Sequence, residues 1–183
     1  MTPRRFRKLA ERSVFKGALI EVAQATFEAP DGEQFERDVV HHPGAVSVVP
    51  VLGDGRTAVL VRQYRAAIDR EILEIPAGKR DVEGEDLEVT ARRELEEEIG
   101  MRAGRLDLLA EFYNSPGFSD EHSFIFLATE LEAGESSLQG VEEQHLTVER
   151  VALADLARLI AERELVDAKS IIGLFLARER LGA

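Results

Sequence analysis

Glu94, Glu97 and Glu98 are the side chains of this 183-residue protein best spaced to do chemistry. They stand at i, i+3 and i+4 in a stretch from Asp86 to Ile99 that lacks Pro and Gly and is dominated by Ala, Leu, Arg and Glu. That composition predicts a helix, on which the three carboxylates are neighbours on one side. Asp86 suits the N-cap and Gly100 the C-terminal stop. Ala91, Leu95 and Ile99, at i, i+4 and i+8, give a narrow apolar stripe beside the glutamates. Like charges at this spacing cost a helix about 0.2–0.5 kcal/mol per pair. They also come late in the helix, where the macrodipole favours cations. A hard divalent cation would explain both violations. Mg²⁺ takes oxygen ligands, typically one or two carboxylates together with substrate phosphates and water. Taken alone, the three glutamates fit more simply as a solvated acidic face of an acidic protein.

The elements that must position these residues follow from the rest of the chain. Its length fits one domain, or one domain with a small appendage. The net charge of −12 argues against a broad nucleic-acid footprint, which needs a basic stripe. The absence of Cys excludes disulfides, thiolate metal sites and a Cys nucleophile. No apolar run approaches the ~18 residues of a membrane span. The basic N-terminus lacks the apolar core of a signal peptide, so the cytoplasm is the expected compartment.

Residues 1–12 carry Arg4, Arg5, Arg7, Lys8 and Arg12 and are expected to be a frayed terminus rather than an arm on an acidic surface. Residues 14–28 are rich in β-formers and are expected as one strand. A turn at Pro30-Asp31-Gly32 and a return strand from Gln34 to His42 complete a hairpin. A lone hairpin is marginal in water and must pack on something. His41 and His42 are adjacent and so point to opposite faces of a strand, which gives them no joint role. Residues 44–52 read as a buried strand, with Thr57 to Tyr64 returning beside it. Arg62 and Arg65 close that strand. Either one of them clamps a phosphate with its planar fork, or both pair with local carboxylates such as Asp69 or Glu71.

Further strands are expected at Glu71 to Gly78, Arg105 to Tyr113, His122 to Leu131 and Leu146 to Leu153. Asn114 to Glu121 is a loop of turn formers, and Glu132 to Gln144 is a loop bearing the acidic pair Glu142-Glu143. Two helices end the chain, about Asp155 to Arg163 and Asp167 to Arg180, with Ile171, Ile172, Leu174, Phe175 and Leu176 expected against a core. The fold class is α/β (α+β): a mixed β-sheet sandwiched between helices, with an N-terminal antiparallel hairpin. The expected division is residues 1–43, used in dimerisation, and residues 44–183, the catalytic domain.

The order Glu85, seven residues, Arg93-Glu94-Leu95-x-Glu97-Glu98-x-Gly100-Met101 resembles the signature of the Nudix hydrolases. One departure is visible: six residues separate Gly78 from Glu85 where the family usually has five, which reads as an insertion in the loop before the helix. Pro116, sixteen residues after Gly100, is similar to a marker of the ADP-ribose pyrophosphatase branch. So are the Arg62-Gln63-Tyr64-Arg65 run, the Glu74-Ile75-Pro76-Ala77-Gly78 lead-in and the Asp167-Ala168-Lys169-Ser170 helix start.

The resemblance implies water attack on a diphosphate with Mg²⁺, or Mn²⁺ in its place, stabilising the charge that builds up. It implies Glu94 and Glu98 as main metal ligands, with Glu97 and the Ala77 carbonyl as further ones. Arg93 would hold the helix glutamates in place, supported by Glu85. Glu142, or its neighbour Glu143, would be the general base, while Gln144 stands where some relatives carry another acidic ligand. Substrate contacts would come from Arg65, then Arg62, with Pro116 nearby, and Glu74 would hold adenine or ribose or cap a strand end. Phe27, Phe35 and Phe118 are candidates for stacking on adenine, each more simply a core residue. In that branch the N-terminal strands are exchanged between two subunits and help hold the adenine; the alternative is a hairpin folded back on its own subunit.

Hydrolysis of ADP-ribose to AMP and ribose 5-phosphate is therefore the expected activity. The alternative within hydrolases is another nucleoside diphosphate sugar, such as ADP-glucose or GDP-mannose. A non-catalytic ADP-ribose sensor is disfavoured because Glu94, Glu97 and Glu98 are all present. An isomerase of the isopentenyl diphosphate type is disfavoured because those use a Cys. The partners expected are a small nucleotide-sugar substrate and a second copy of the chain, with neither nucleic acid nor membrane.

Overall fold

The computed structural model describes residues 5–80, 82, 84–138, 141 and 143–183. In chain order the first strands are β1 (Arg7–Lys16), β2 (Glu21–Glu28), β3 (Gln34–His41), β4 (Ala45–Pro50), β5 (Thr57–Arg65), β6 (Arg70–Glu74) and β7 (Ala77–Lys79). Helix α1 (Leu87–Ile99) follows, then β8 (Met101–Tyr113), β9 (His122–Ala133) and β10 (Thr147–Ala152), and finally helices α2 (Leu156–Ala161) and α3 (Ala168–Leu181). The chain divides into two compact units. One comprises residues 1–44 and 112–123, and the other residues 45–111 and 124–183.

In the first unit β1, β2 and β3 form an antiparallel sheet in that order. Two expectations are corrected here. Residues 7–16 are strand rather than frayed terminus. The single strand expected over residues 14–28 is two, broken where Gly17 N–H donates to the Ile20 carbonyl at 2.9 Å. The strand at the terminus escaped notice because β1 is exposed along its whole length and so shows no burial alternation. His41 proves structural. Its ring lies 2.5 Å from Asp120 and 2.9 Å from Glu11, tying β3 to β1 and to the turn-rich loop.

The second unit holds two sheets, in the orders β10-β5-β6 and β7-β4-β9-β8. Alternation along β4 shows how helices cover it on both faces. Val46 and Val48 belong to one apolar cluster with Ala91, Leu95 and Ile99 of α1 and Phe124 and Phe126 of β9. Val49 points to the opposite face, where a Cβ on Gly173 of α3 would lie 2.9 Å from it and 3.0 Å from Ile125. Glycine there allows α3 to pack tightly against the sheet.

Helix α3 corrects the expected core. Ser170, Gly173, Leu174 and Ala177 are its buried face, at i, i+3, i+4 and i+7. Ile172 and Leu176 remain exposed. The strand expected over residues 71–78 is likewise two, separated by Ile75-Pro76, because Pro76 has no N–H to give a ladder. Its carbonyl instead accepts the Val48 N–H at 2.9 Å, which sets β7 beside β4 with Ser47 opposite Ala77.

Ser47 is fully buried, and among the described residues its hydroxyl has no hydrogen-bond partner. An unpaired buried hydroxyl costs about 1–3 kcal/mol. Ser47→Ala is therefore expected to raise stability by about 1 kcal/mol in urea unfolding and to leave kcat unchanged. A loss of stability would show that the hydroxyl is satisfied.

Candidate active site

Helix α1 begins and ends as its sequence requires. The Asp86 side chain accepts the Glu88 N–H at 2.8 Å. Gly100 takes the left-handed conformation at φ 62° and donates to the Glu96 carbonyl. The buried positions of the helix are Thr90, Ala91, Leu95, Glu98 and Ile99, so the apolar stripe carries a carboxylate inward with it. Glu98 is only 5 % exposed and accepts the Ala77 N–H at 3.1 Å. Glu94 lies so close to the neighbouring main chain that a Cβ on Gly78 would sit 1.8 Å from its carboxyl carbon.

Arg93 binds the cluster from outside. Its Nη1 lies 2.7 Å from Glu94 Oε1 and 3.1 Å from Glu97 Oε2, and its Nη2 3.4 Å from Glu85 Oε2. The Thr90 hydroxyl fixes the same Glu85 oxygen at 2.8 Å. Burial opposes the charge on Arg93, but Glu94, Glu85 and Glu97 together raise its pKa above the ordinary arginine value. Burial pushes Glu98 up to about 8, and the charges of Glu94 and Glu143 add to it, against the Ala77 N–H and Arg65. Burial likewise pushes Glu94 up to about 7, with Glu97 and Glu143 adding and Arg93 opposing.

A buried Glu98 and a half-buried Glu94, both held above the ordinary carboxylate value, fit a hard cation. Oxygen donors, a negative field and the main-chain approach permitted by Gly78 all suit such an ion. Among the described residues there is no group of three acidic or His side chains that could hold a metal ion. An ion that shares its coordination with phosphate oxygens and water does not need one.

The described residues place the other expected site residues as follows. Arg65 ends β5 and forks onto Glu74 through Nε at 2.6 Å and Nη2 at 2.8 Å. Glu74, at the end of β6, is 1 % exposed and also bonds Lys169. Burial pushes Glu74 up, yet Arg65 and Lys169 outweigh it and hold the carboxyl below the usual range. Arg62 pairs with Glu149 at 2.5 Å and with Glu164 at 3.8 Å, not with Asp69 or Glu71. Tyr64 holds Asp69 instead, at 2.8 Å. Glu142 lies outside the described residues. Glu143 begins a single 3₁₀ turn, and its charge acts on both Glu94 and Glu98.

In the first unit, Pro116, Phe27, Phe35 and Phe118 line one concavity of about 380 Å³ with Phe6 and Arg37. Phe27 and Phe35 stack there at 5.6 Å, with the Arg37 guanidinium 4.7 Å from the Phe35 ring centre.

Two contributions were missed from sequence. Lys169 joins Glu74 from a position 95 residues away, which no local spacing reveals. The Ser136 hydroxyl and Ser137 N–H both donate to the Glu97 carbonyl, at 2.8 and 3.0 Å, and so pin the start of the acidic loop to the end of α1. Orphan carbonyls at a helix C-terminus are the one signal that such a clamp was needed.

A capped helix that turns glutamates towards a glycine-containing strand, under an arginine clamp, defines a divalent-cation hydrolase of the Nudix type. The chain belongs to the NUDIX domain family, whose model matches residues 41–172. It is 41 % identical to the ADP-ribose pyrophosphatase of Bacillus subtilis (strain 168), over 88 % of this chain and 86 % of that protein. It is 35 % identical to the ADP-ribose pyrophosphatase of Mycobacterium tuberculosis (strain ATCC 25618 / H37Rv), over 92 % of this chain and 81 % of that protein. A solved structure described as an ADP compounds hydrolase superposes with a TM-score of 0.84 at 26 % identity, covering 100 % of this chain and 97 % of the other. Nudix hydrolases generally use divalent cations. No helix among the described residues is long and apolar enough to cross a membrane.

The raised carboxyls make stability depend on pH in a defined direction. Between the ordinary 4.5 and the folded values of about 7 and 8, the folded protein binds protons that the unfolded chain has lost. Stability from these groups is therefore lost as pH rises from about 5 to about 8. A bound divalent cation compensates the same charges. The rise in Tm on adding excess Mg²⁺ is thus expected to be small near pH 5 and to grow towards pH 8. His41, also raised, by Asp120 and then Glu11, loses stability with rising pH in both conditions and drops out of the difference. A cation effect independent of pH would contradict the assignment.

Proposed function

We propose that the protein hydrolyses ADP-ribose to AMP and ribose 5-phosphate with Mg²⁺, which Mn²⁺ can replace. The observation that carries this reading is the buried Glu98 and the half-buried Glu94 set against the main chain of Ala77 and Gly78. Glu94 and Glu98, with Glu97 and the Ala77 carbonyl, would hold the cation. When bound, the cation supplies Lewis-acid stabilisation of charge on phosphoryl oxygens.

Arg93 keeps Glu94 and Glu97 from splaying under their mutual repulsion. Arg65 offers its guanidinium to the diphosphate. A glutamate of the acidic loop, Glu142 or Glu143, takes a proton from the attacking water as its oxygen bonds to one phosphorus. The bridging P–O bond then breaks, and the leaving oxygen departs with the other phosphate. The field of Glu143 at Glu94 and Glu98 supports that placement for Glu143.

Residues 1–43 would serve dimerisation and residues 44–183 catalysis. The exposed length of β1, with Val14 60 % and Phe15 56 % exposed and Phe6 just before it 66 % exposed, supports cover by a second copy. Light scattering checks this, and a monomer at micromolar concentration would refute it.

The activity test is turnover of a panel: ADP-ribose, ADP-glucose, GDP-mannose, NADH and a dinucleoside polyphosphate. The expected result is a kcat/KM for ADP-ribose at least ~10-fold above the rest, about 1.4 kcal/mol of transition-state preference. Preference for another member would keep the mechanism and discard the substrate.

A further inference from the structure

We propose that Lys169 and Glu74 are positioning residues for Arg65: Lys169 is the standing counter-ion of Glu74, which frees the Arg65 charge to engage the substrate diphosphate. The inference rests on the proposed role of Arg65 above. Glu74 is 1 % exposed, so its charge must be matched inside the protein. The two-pronged fork from Arg65 would be sufficient for that. Yet a second cation is supplied. Lys169 reaches Glu74 Oε2 from the first turn of α3 and lies 2.9 Å from Asp167 Oδ2.

The two cations differ in exposure. The Lys169 side chain is 15 % exposed and has two carboxylate partners. The Arg65 side chain is 42 % exposed and uses only Nε and Nη2 on Glu74; its Nη1 has no protein acceptor among the described residues. Its charge is also felt at Glu98 on the catalytic helix. An arginine whose only partner is a buried carboxylate cannot turn to a ligand without stranding that charge. With Lys169 in place, Glu74 stays matched while Arg65 shifts part of its bonding outward.

The framework around Lys169 is rigid enough for the task. Asp167 caps α3 by accepting the Ser170 N–H at 2.9 Å. The buried Ser170 hydroxyl accepts the Ile75 N–H at 2.8 Å, one residue beyond Glu74. Helix start and strand end are thereby held in one register.

The test compares wild type with Lys169→Met, Lys169→Arg and the double variant Glu74→Gln/Lys169→Met. Readouts are kcat and KM for the preferred diphosphate sugar, and calorimetric Kd values for ADP and GDP with Mg²⁺. Lys169→Met is expected to raise KM and the diphosphate Kd by about 10-fold or more, with kcat changed less than about 3-fold. Lys169→Arg should recover most of that loss. The double variant should recover it too, because the neutral amide introduced by Glu74→Gln needs no counter-ion. Kd within about 2-fold of wild type, a fall in kcat alone, additive losses in the double variant, or a wild type that binds neither ADP nor GDP would each overturn the proposal. Inactivity of the wild type towards ADP-ribose counts against the proposed substrate instead. The Kd ratio then still judges Lys169.

Discussion

Glu98→Gln is expected to lower kcat by at least about 100-fold, or about 2.7 kcal/mol of transition-state stabilisation, and at the same time to make the cation-free protein more stable. Both effects have one cause. Glu98 is 5 % exposed and burial pushes its carboxyl up to about 8, so at pH 8, where the unfolded chain carries the charge freely, the fold holds that charge against its surroundings. Gln keeps the shape and can still accept the Ala77 N–H, but it brings no charge for a divalent ion. The Tm measured in EDTA at pH 8 should therefore rise in the variant, and the gain in Tm on adding Mg²⁺ should shrink. Activity lost with stability gained marks a residue kept for function. Near-normal turnover with an unchanged far-UV spectrum would remove Glu98 from the metal site.

Gly78→Ala is expected to be as damaging to turnover as removing the Glu94 carboxylate itself. A Cβ there would meet Glu94 Cδ at 1.8 Å, Oε1 at 2.0 Å and Cγ at 2.4 Å, distances no side chain accepts. The glutamate must leave its place. The need is for space, because β7 has to pass directly over the carboxylate. A fall in kcat of about 100-fold or more is expected, together with weaker cation binding and retained secondary structure. Glu94→Gln supplies the comparison: the two variants should lose similar activity, and the double variant little more than either. A Gly78→Ala protein with wild-type kcat would show that Glu94 works from another position.

What the sequence disclosed and what it withheld divide along physical lines. Helix α1 was legible because its signals are local: Asp86 caps it, Gly100 ends it, and its apolar period is its own. The glutamates were legible because they break local rules of charge and dipole within that helix. The partner of Arg62 was not, since Glu149 lies 87 residues away and Glu164 farther still, and spacing carries no trace of them. Lys169 was hidden for the same reason. Strand β1 was hidden because every position along it is exposed and no pattern of burial marks it. In α3 the many apolar residues drew attention from the face that packs, where Ser170, Gly173 and Ala177 succeed by being small. Tight packing selects for volume as well as for hydrophobicity.

Cation-dependent hydrolysis is measured most directly from the products of ADP-ribose with the purified wild-type protein, followed by ³¹P NMR in Mg²⁺ and in EDTA, with Glu98→Gln beside it. AMP and ribose 5-phosphate are expected in equimolar amounts with Mg²⁺, with none in EDTA and almost none from the variant. Equal product in EDTA, or full turnover by Glu98→Gln, would contradict a mechanism that depends on a cation held by these glutamates.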